Sequence, residues 1–269
     1  MNKSLVRQQF GSNAANYVDS VVHAKGASLA KLVDVVQPQT AWHGLDVATG
    51  AGHTAFAFAP HVSKMLATDL TEQMLEQVRK QISTKGHANV ETALADAEAL
   101  PFEDSSFDLV TCRIAPHHFP SIPAFVDEIR RVLKSGGIAA IVDNVSPDQN
   151  TTPGFSDQEL DAAATDYNDF EKLRDPSHVR AWTVSEWLTC IADAGLDVFH
   201  FECLDKAMSF NAWCRNQSVP NDLEPVLSDM LTKASPAFAE YIRPHPLDHD
   251  DIGFVITELL VVARKPHRS

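Results

Sequence analysis

GLDVATGAGHTA, residues 44–55, is a short apolar strand whose end turns through Gly50 and Gly52 into a helix start made of small residues. Glycine has no Cβ, so such a turn is tight and its backbone amides face whatever lies above it, the arrangement that cradles nucleotides at a helix N-terminus. Upstream, Val22, Leu29, Leu32, Val33 and Val36 recur at helical spacing, and Pro38 stops that helix before an extended run at 42–48. Downstream, 63–70 reads as a second strand, and Thr71 caps a helix with Met74, Leu75, Val78 and Ile82 on its apolar face. Residues 90–96 and 107–114 give strands three and four. A helix marked by Phe125, Ile129, Val132 and Leu133 is expected to stop at Gly136-Gly137, ahead of a fifth strand at 138–142.

Apolar, β-branched strands separated by helices of about 12 residues signify βαβ units with right-handed crossovers. The expected fold is therefore α/β: a Rossmann-like, doubly wound, mostly parallel sheet of seven strands, the last two at 198–204 and 254–263. After strand five the alternation breaks. Residues 144–182 carry Pro147, Pro153, Gly154 and Pro176 around one amphipathic helix bearing Leu160, Ala163, Ala164 and Tyr167, which suggests an inserted helical lid. Capping boxes, Ser156 with Glu159 and Thr183 with Glu186, mark two helix starts there. The expected organisation is one domain, 1–269, with a helical cap at 1–37, a core at about 38–143 and 183–263, and the lid at 144–182. Between 205 and 250 the Pro-interrupted sequence reads as mostly helix and loop.

Lys and Arg number 22 against 36 Asp and Glu, a formal net charge of −14. That charge disfavours nucleic acid or an anionic membrane as partner and suits a small, neutral or cationic ligand. No run of about 18 apolar residues occurs, so no membrane span is expected. Cys112, Cys190, Cys203 and Cys214 lack metal spacing, and the N-terminus lacks a charged-then-apolar secretory pattern. Both point to reduced thiols in a cytoplasmic protein. The 12 histidines include no pair at helical metal spacing joined to a carboxylate, so no metal site is expected.

In a doubly wound sheet, ligands bind beyond the carboxyl ends of the strands. Asp69 ends strand two, where a carboxylate accepts both ribose hydroxyls, and Asp96 ends strand three, where one accepts an adenine amino group. No second and third well-spaced glycines follow Gly52, so the usual pyrophosphate wrap is missing. A ligand with adenosine but no diphosphate fits, and S-adenosylmethionine is such a ligand.

GLDVATGAG, ATDLTEQML, ADAEALPFEDSSFDLV and RRVLKSGG, in this order, resemble class I S-adenosylmethionine-dependent methyltransferases. The nearest subgroup resembles the ubiquinone and menaquinone biosynthesis methyltransferases. The similarity covers about residues 5–143 and specifies the methyl donor rather than the acceptor. By that resemblance Gly50 and Gly52 approach the methionine part, Asp69 binds the ribose, Leu70 and Met74 flank the adenine, and Asp96 with Ala97 reads its edge. Asp46 supports the loop, Ile114 contacts the methionine through its backbone, and Tyr17 closes over the cofactor. Ala48 and Thr49 depart from the pattern, which often has Gly and Cys there.

The activity so implied is methyl transfer from S-adenosylmethionine to an O, N or C nucleophile on a small-molecule acceptor. His117 and His118 follow strand four on the binding face, where an imidazole could orient an acceptor or take its proton. His178, between Arg174 and Arg180 in the lid, is a third catalytic candidate, although lid-surface salt bridges explain the arginines equally well. Trp213, Arg215 and Gln217 follow an aromatic stretch that could line an acceptor site but suits packing better. Two alternatives share the same motifs: a non-catalytic S-adenosylmethionine-binding sensor or partner subunit, and an NAD-linked oxidoreductase, against which the glycine spacing argues.

Overall fold

The computed structural model describes residues 27–248 and 250–267. Helix α1 (Ala27–Val36) leads to strand β1 (His43–Asp46), helix α2 (His53–Phe58), strand β2 (Lys64–Asp69), helix α3 (Glu72–Lys85) and strand β3 (Val90–Leu94). Strand β4 (Phe107–Arg113), helix α4 (Ile122–Val132) and strand β5 (Leu133–Asn144) follow. Beyond them lie helices α5 (Asp157–Arg174) and α6 (Val184–Asp193), then strand β6 (Asp197–Ser209). Helices α7 (Phe210–Asn216), α8 (Glu224–Thr232) and α9 (Pro236–Ile242) precede strands β7 (His245–Pro246) and β8 (Ile252–Arg264).

The sheet has the order β3-β2-β1-β4-β5-β8-β6, with β7 paired to β8 as an eighth strand. The fold is the expected α/β, Rossmann-like one, and the strand count exceeds the expected seven by β7. That strand has two residues, His245 and Pro246, antiparallel to Gly253 and Ile252, too short for any periodic signal. The pairs β1·β2, β1·β4, β2·β3 and β4·β5 are parallel, with Leu45 level with both Leu66 and Val110, and Leu109 level with Ile138. All five of those strands therefore end at one edge.

The described residues divide into two compact units, the first drawn from 27–143, Thr189–Glu202 and 260–267, the second from Asn144–Leu188, 203–248 and 250–259. In the first, Leu45, Met65, Leu109, Val110 and Val142 are fully buried, as expected of strands covered on both faces. Helix α4 adds Phe125, Val126, Ile129 and Val132, all buried and spaced at three and four residues. It stops at Val132 rather than at Gly136-Gly137, because Leu133 is extended and already pairs with Phe107. The glycine pair lies inside β5, where the Gly136 N–H bonds the Lys265 carbonyl. Helix α3 ends as a glycine-capped helix should: Gly86 takes φ 75° and its N–H returns to the Ile82 carbonyl.

The second unit has an aromatic core. Tyr167 and Phe170 from α5, Trp213 from α7, Phe238 and Tyr241 from α9 and Phe254 from β8 are all buried. Phe170 stacks on Trp213 with ring centres 4.4 Å apart. Both capping boxes form: Ser156 and Glu159 start α5, and Thr183 and Glu186 exchange backbone bonds ahead of α6. The four cysteines are free thiols. Among the described residues, no helix is long and apolar enough to cross a membrane.

Candidate donor site at the strand ends

Strand β1 runs out at Asp46, and the Val47 N–H still bonds the Thr111 carbonyl of β4 before the chain turns. The turn places Ala48 at φ 52°, Gly50 at 55° and Gly52 at 87°, three left-handed residues in five. The two glycines answer to different needs. A Cβ at Gly52 would stand 2.8 Å from the Phe56 ring, so packing within α2 demands the glycine. A Cβ at Gly50 would meet nothing within 4 Å, so there the left-handed backbone, not packing, favours glycine. Beneath the turn, buried Asp46 accepts hydrogen bonds from the hydroxyls of Thr49 (2.5 Å) and Thr111 (2.6 Å). Burial pushes its carboxyl up to about 6, against those bonds and the charge of Arg113.

Asp69 at the end of β2 is half-buried. Its Oδ2 accepts the Gly50 N–H at 3.0 Å, and its Oδ1 accepts both the N–H (2.9 Å) and the hydroxyl (2.5 Å) of Thr71. Burial raises its carboxyl above the usual range, with the Thr71 and Gly50 bonds opposing. Thr71 does occupy the helix N-cap, but its hydroxyl serves Asp69 and makes no side-chain cap bond.

Past β3, the Glu98 N–H bonds Asp96 Oδ1 at 3.1 Å, which shapes the loop carrying Asp96 and Ala97. Helix α4 clasps the rest of this loop. Arg131 donates to the carbonyls of Leu100 (2.8 Å) and Phe102 (2.7 Å) and to Glu128, while Glu128 accepts the Leu100 N–H at 2.6 Å. The Arg131 hydrogen bond holds the Glu128 carboxyl below its ordinary value. Arg131 belongs to the RRVLKSGG stretch, yet nothing in the spacing of that stretch announces a loop clamp.

At the end of β4, Ile114 adopts φ 53° while its N–H bonds the Val142 carbonyl of β5 at 2.8 Å. A β-branched residue in this region stores about 1–3 kcal/mol of strain, and such residues cluster at ligand sites. A 3₁₀ turn, Pro116–His118, follows. Buried His117 places Nδ1 2.6 Å from Oδ1 of buried Asp143 on β5, and its ring lies 4.2 Å from that of His118, centre to centre.

These strand ends enclose a cavity of about 130 Å³, room for roughly ten water molecules at about 10–15 Å³ each. Gly50, Asp69, Leu70 and Met74 line it, as do Asp96, Ala97, Ile114 and His118. Asp46, Gly52 and His117 are not among the residues that line it. His53, Thr54, Glu98, Arg113 and Phe119 also line it and were not anticipated from sequence. Tyr17 lies outside the described residues.

His178 belongs to the second unit. It is 2% exposed, its Nε2 is 2.9 Å from Asn168 Oδ1, and that oxygen also accepts the Ala181 N–H at 2.7 Å. Arg174 pairs with Glu171 and lies over the Trp213 ring at 4.5 Å, and Arg180 pairs with Glu186. Trp213 is a core residue, Gln217 bonds Asp175, and Arg215 is exposed.

A parallel sheet with a glycine turn after β1, acids after β2 and β3 and no diphosphate wrap defines the nucleotide-binding half of an S-adenosylmethionine-dependent methyltransferase. Comparison with known proteins gives the same answer. The methyltransferase domain family matches residues 45–141. The chain is 34% identical over 226 residues to the uncharacterized methyltransferase YcgJ of Bacillus subtilis, covering 84% of this chain and 85% of that protein. The crystal structure of YcgJ superposes with a TM-score of 0.81 at 30% identity, covering 90% of this chain and 99% of that one. For BH2331 of Bacillus halodurans the TM-score is 0.82 at 40% identity, covering 90% and 100%. A demethylmenaquinone methyltransferase of Lactococcus lactis is 29% identical over 154 residues, 55% of this chain and 61% of that protein. The chain belongs to the methyltransferase family and is an S-adenosylmethionine-dependent enzyme.

Proposed function

We propose that this enzyme methylates a small-molecule acceptor, with its donor seated in the cavity at the ends of β1, β2, β3 and β4. The observation that carries this reading is Asp69, which accepts the Gly50 N–H and so ties the acid after β2 to the glycine turn on one cavity wall. The donor set suits S-adenosylmethionine. Asp69 takes the ribose hydroxyls, Leu70 and Met74 flank the adenine, and Asp96 with Ala97 reads its edge. Gly50 and Gly52 let the backbone approach the methionine part, Ile114 meets that part through its backbone, Asp46 braces the loop from below, and Tyr17 covers the site.

S-adenosylmethionine supplies a methyl group activated by its sulfonium. The protein's task is then alignment of the acceptor nucleophile, O, N or C, in line with that methyl, and positioning of this kind accounts for about 7–11 kcal/mol of barrier reduction. His118, on the cavity wall, is the side chain placed to take a proton from an acceptor, with His117 packed behind it. His178 is the weaker candidate, since its ring already serves Asn168. The net charge of −14 favours a small neutral or cationic acceptor over nucleic acid, and the four free thiols accord with a cytoplasmic enzyme. The same reading takes 1–269 as one methyltransferase domain, with 144–182 inserted after β5.

The test is incubation of the purified protein with methyl-labelled S-adenosylmethionine and a metabolite extract, followed by mass spectrometry. A labelled small molecule absent without enzyme supports the reading and names the acceptor. Donor binding with no labelled product, repeated across extracts, supports a non-catalytic sensor instead.

A further inference from the structure

Helix α3 carries an amide on its buried face. The stripe set by Met74 and Val78 continues at 81 by helical spacing, and Gln81 there is 6% exposed, whereas the apolar Ile82 beside it is only half-buried. An amide buried without a partner is costly, so the bond it makes identifies its role. Gln81 Nε2 donates to the Ala51 carbonyl at 2.7 Å, linking α3 to the glycine turn. The N–H of the same peptide, that of Gly52, donates to the Thr49 carbonyl at 2.9 Å. Both ends of the Ala51–Gly52 peptide are therefore held, one by the turn itself and the other by α3.

Ala51 stands between two left-handed glycines, Gly50 at φ 55° and Gly52 at φ 87°. Glycine has no Cβ to resist rotation about its backbone bonds, so hydrogen bonds set how this turn faces the cavity that Gly50 and Ala51 line. We propose that Gln81 is a positioning residue for the methyl donor: its amide fixes the Gly50–Gly52 turn in the orientation that receives the methionine part. This rests on the donor placement proposed above, in which the methionine part lies beside the turn and the ribose beside Asp69. The Asp69 carboxylate is anchored separately, by the N–H and hydroxyl of Thr71. Loss of the Gln81 bond is therefore felt by a ligand that carries the amino-acid group, whereas a role confined to packing α3 affects every adenosine ligand alike.

Calorimetric titration of the full chain distinguishes the two. The ligands are S-adenosylmethionine and methylthioadenosine, which keeps the nucleoside and has no amino-acid group. Gln81→Met preserves the reach and bulk of the side chain and removes its donor. It is expected to lower the ratio of S-adenosylmethionine to methylthioadenosine affinity by about 3- to 10-fold, the range of one neutral hydrogen bond, with methylthioadenosine affinity near that of the wild type. Gln81→Ala, which favours the helix and no longer reaches the turn, is expected to lower the ratio by the same amount and decides the question if Gln81→Met does not fold. A ratio within about threefold of the wild type, whether or not both affinities fall, overturns the inference and leaves the donor reading intact. Failure of the wild type to bind either ligand overturns both.

Discussion

His118 and His178 carry the same imidazole in two regions built on different plans. Around His118, parallel strands end at one edge, so the residues that follow β1, β2, β3 and β4 share a cavity wall. Around His178, polar groups turn toward one another: His178 to Asn168, Ser177 and Gln217 to Asp175, and Ser185 to Asp148. These bonds satisfy groups that burial would otherwise leave unpaired. A polar residue just past a parallel strand is thus pooled with others by topology, whereas one in the helical segment after β5 is committed to its own neighbourhood.

Exchange of the histidines probes the contrast hardest. With an acceptor in hand, His118→Asn is expected to lower kcat about 10²- to 10⁴-fold with donor affinity unchanged, the range of a lost general base. His178→Gln is expected to leave kcat alone and cost about 1–3 kcal/mol of stability through its buried bond. Unchanged kcat in the first variant would remove His118 from the chemistry. Next in size, Trp213→Ala is expected to destabilise by about 3–5 kcal/mol in denaturant titration, because the ring is 1% exposed and stacked on Phe170. A loss below about 1 kcal/mol would contradict its place in the aromatic core.

Asp46 tests the turn itself. Its carboxyl is raised from 3.8 to about 6 in the folded chain, so the folded state holds this proton more tightly than the unfolded state. The resulting stabilisation is complete below pH 3.8 and is lost as pH rises through 6. Relative to Asp46→Asn, the wild type should lose about 3 kcal/mol between those limits, and a flat difference would show that the carboxyl is not buried as described. The smallest effect belongs to Ala48→Gly. Relief of a left-handed alanine at φ 52°, less the entropy of an added glycine, should raise the melting midpoint by about 1–3 °C.

Much of the first unit was legible in the sequence. Strands buried on both faces leave uninterrupted apolar runs, so β1 to β5 fall near where the sequence puts them; in the second unit, helix starts carry chemical signals and both capping boxes form where expected. What was illegible depended on pairing across the sheet. Gly136-Gly137 looks like a helix stop, but Leu133 pairs with Phe107 and draws the glycines into β5. Asp143 ends an apolar run without any local mark, and its link to His117 appears only when β4 and β5 lie side by side. Thr71 and Arg131 were likewise read as a cap and part of a helix, whereas their hydrogen bonds go to Asp69 and to the loop after Asp96. The cavity residues found from sequence lie at strand ends or in the turns and helix starts that follow them, Asp69 and Met74 among them; Arg113, at the end of β4, was missed.

The most direct test of the donor site is titration of S-adenosylmethionine into the wild type and Asp69→Ala. One binding site per chain in the wild type, weakened by about 100-fold or more in the variant for the loss of two charge-assisted bonds, is the predicted result. Equal affinity in the two proteins would contradict the placement of the donor at the end of β2.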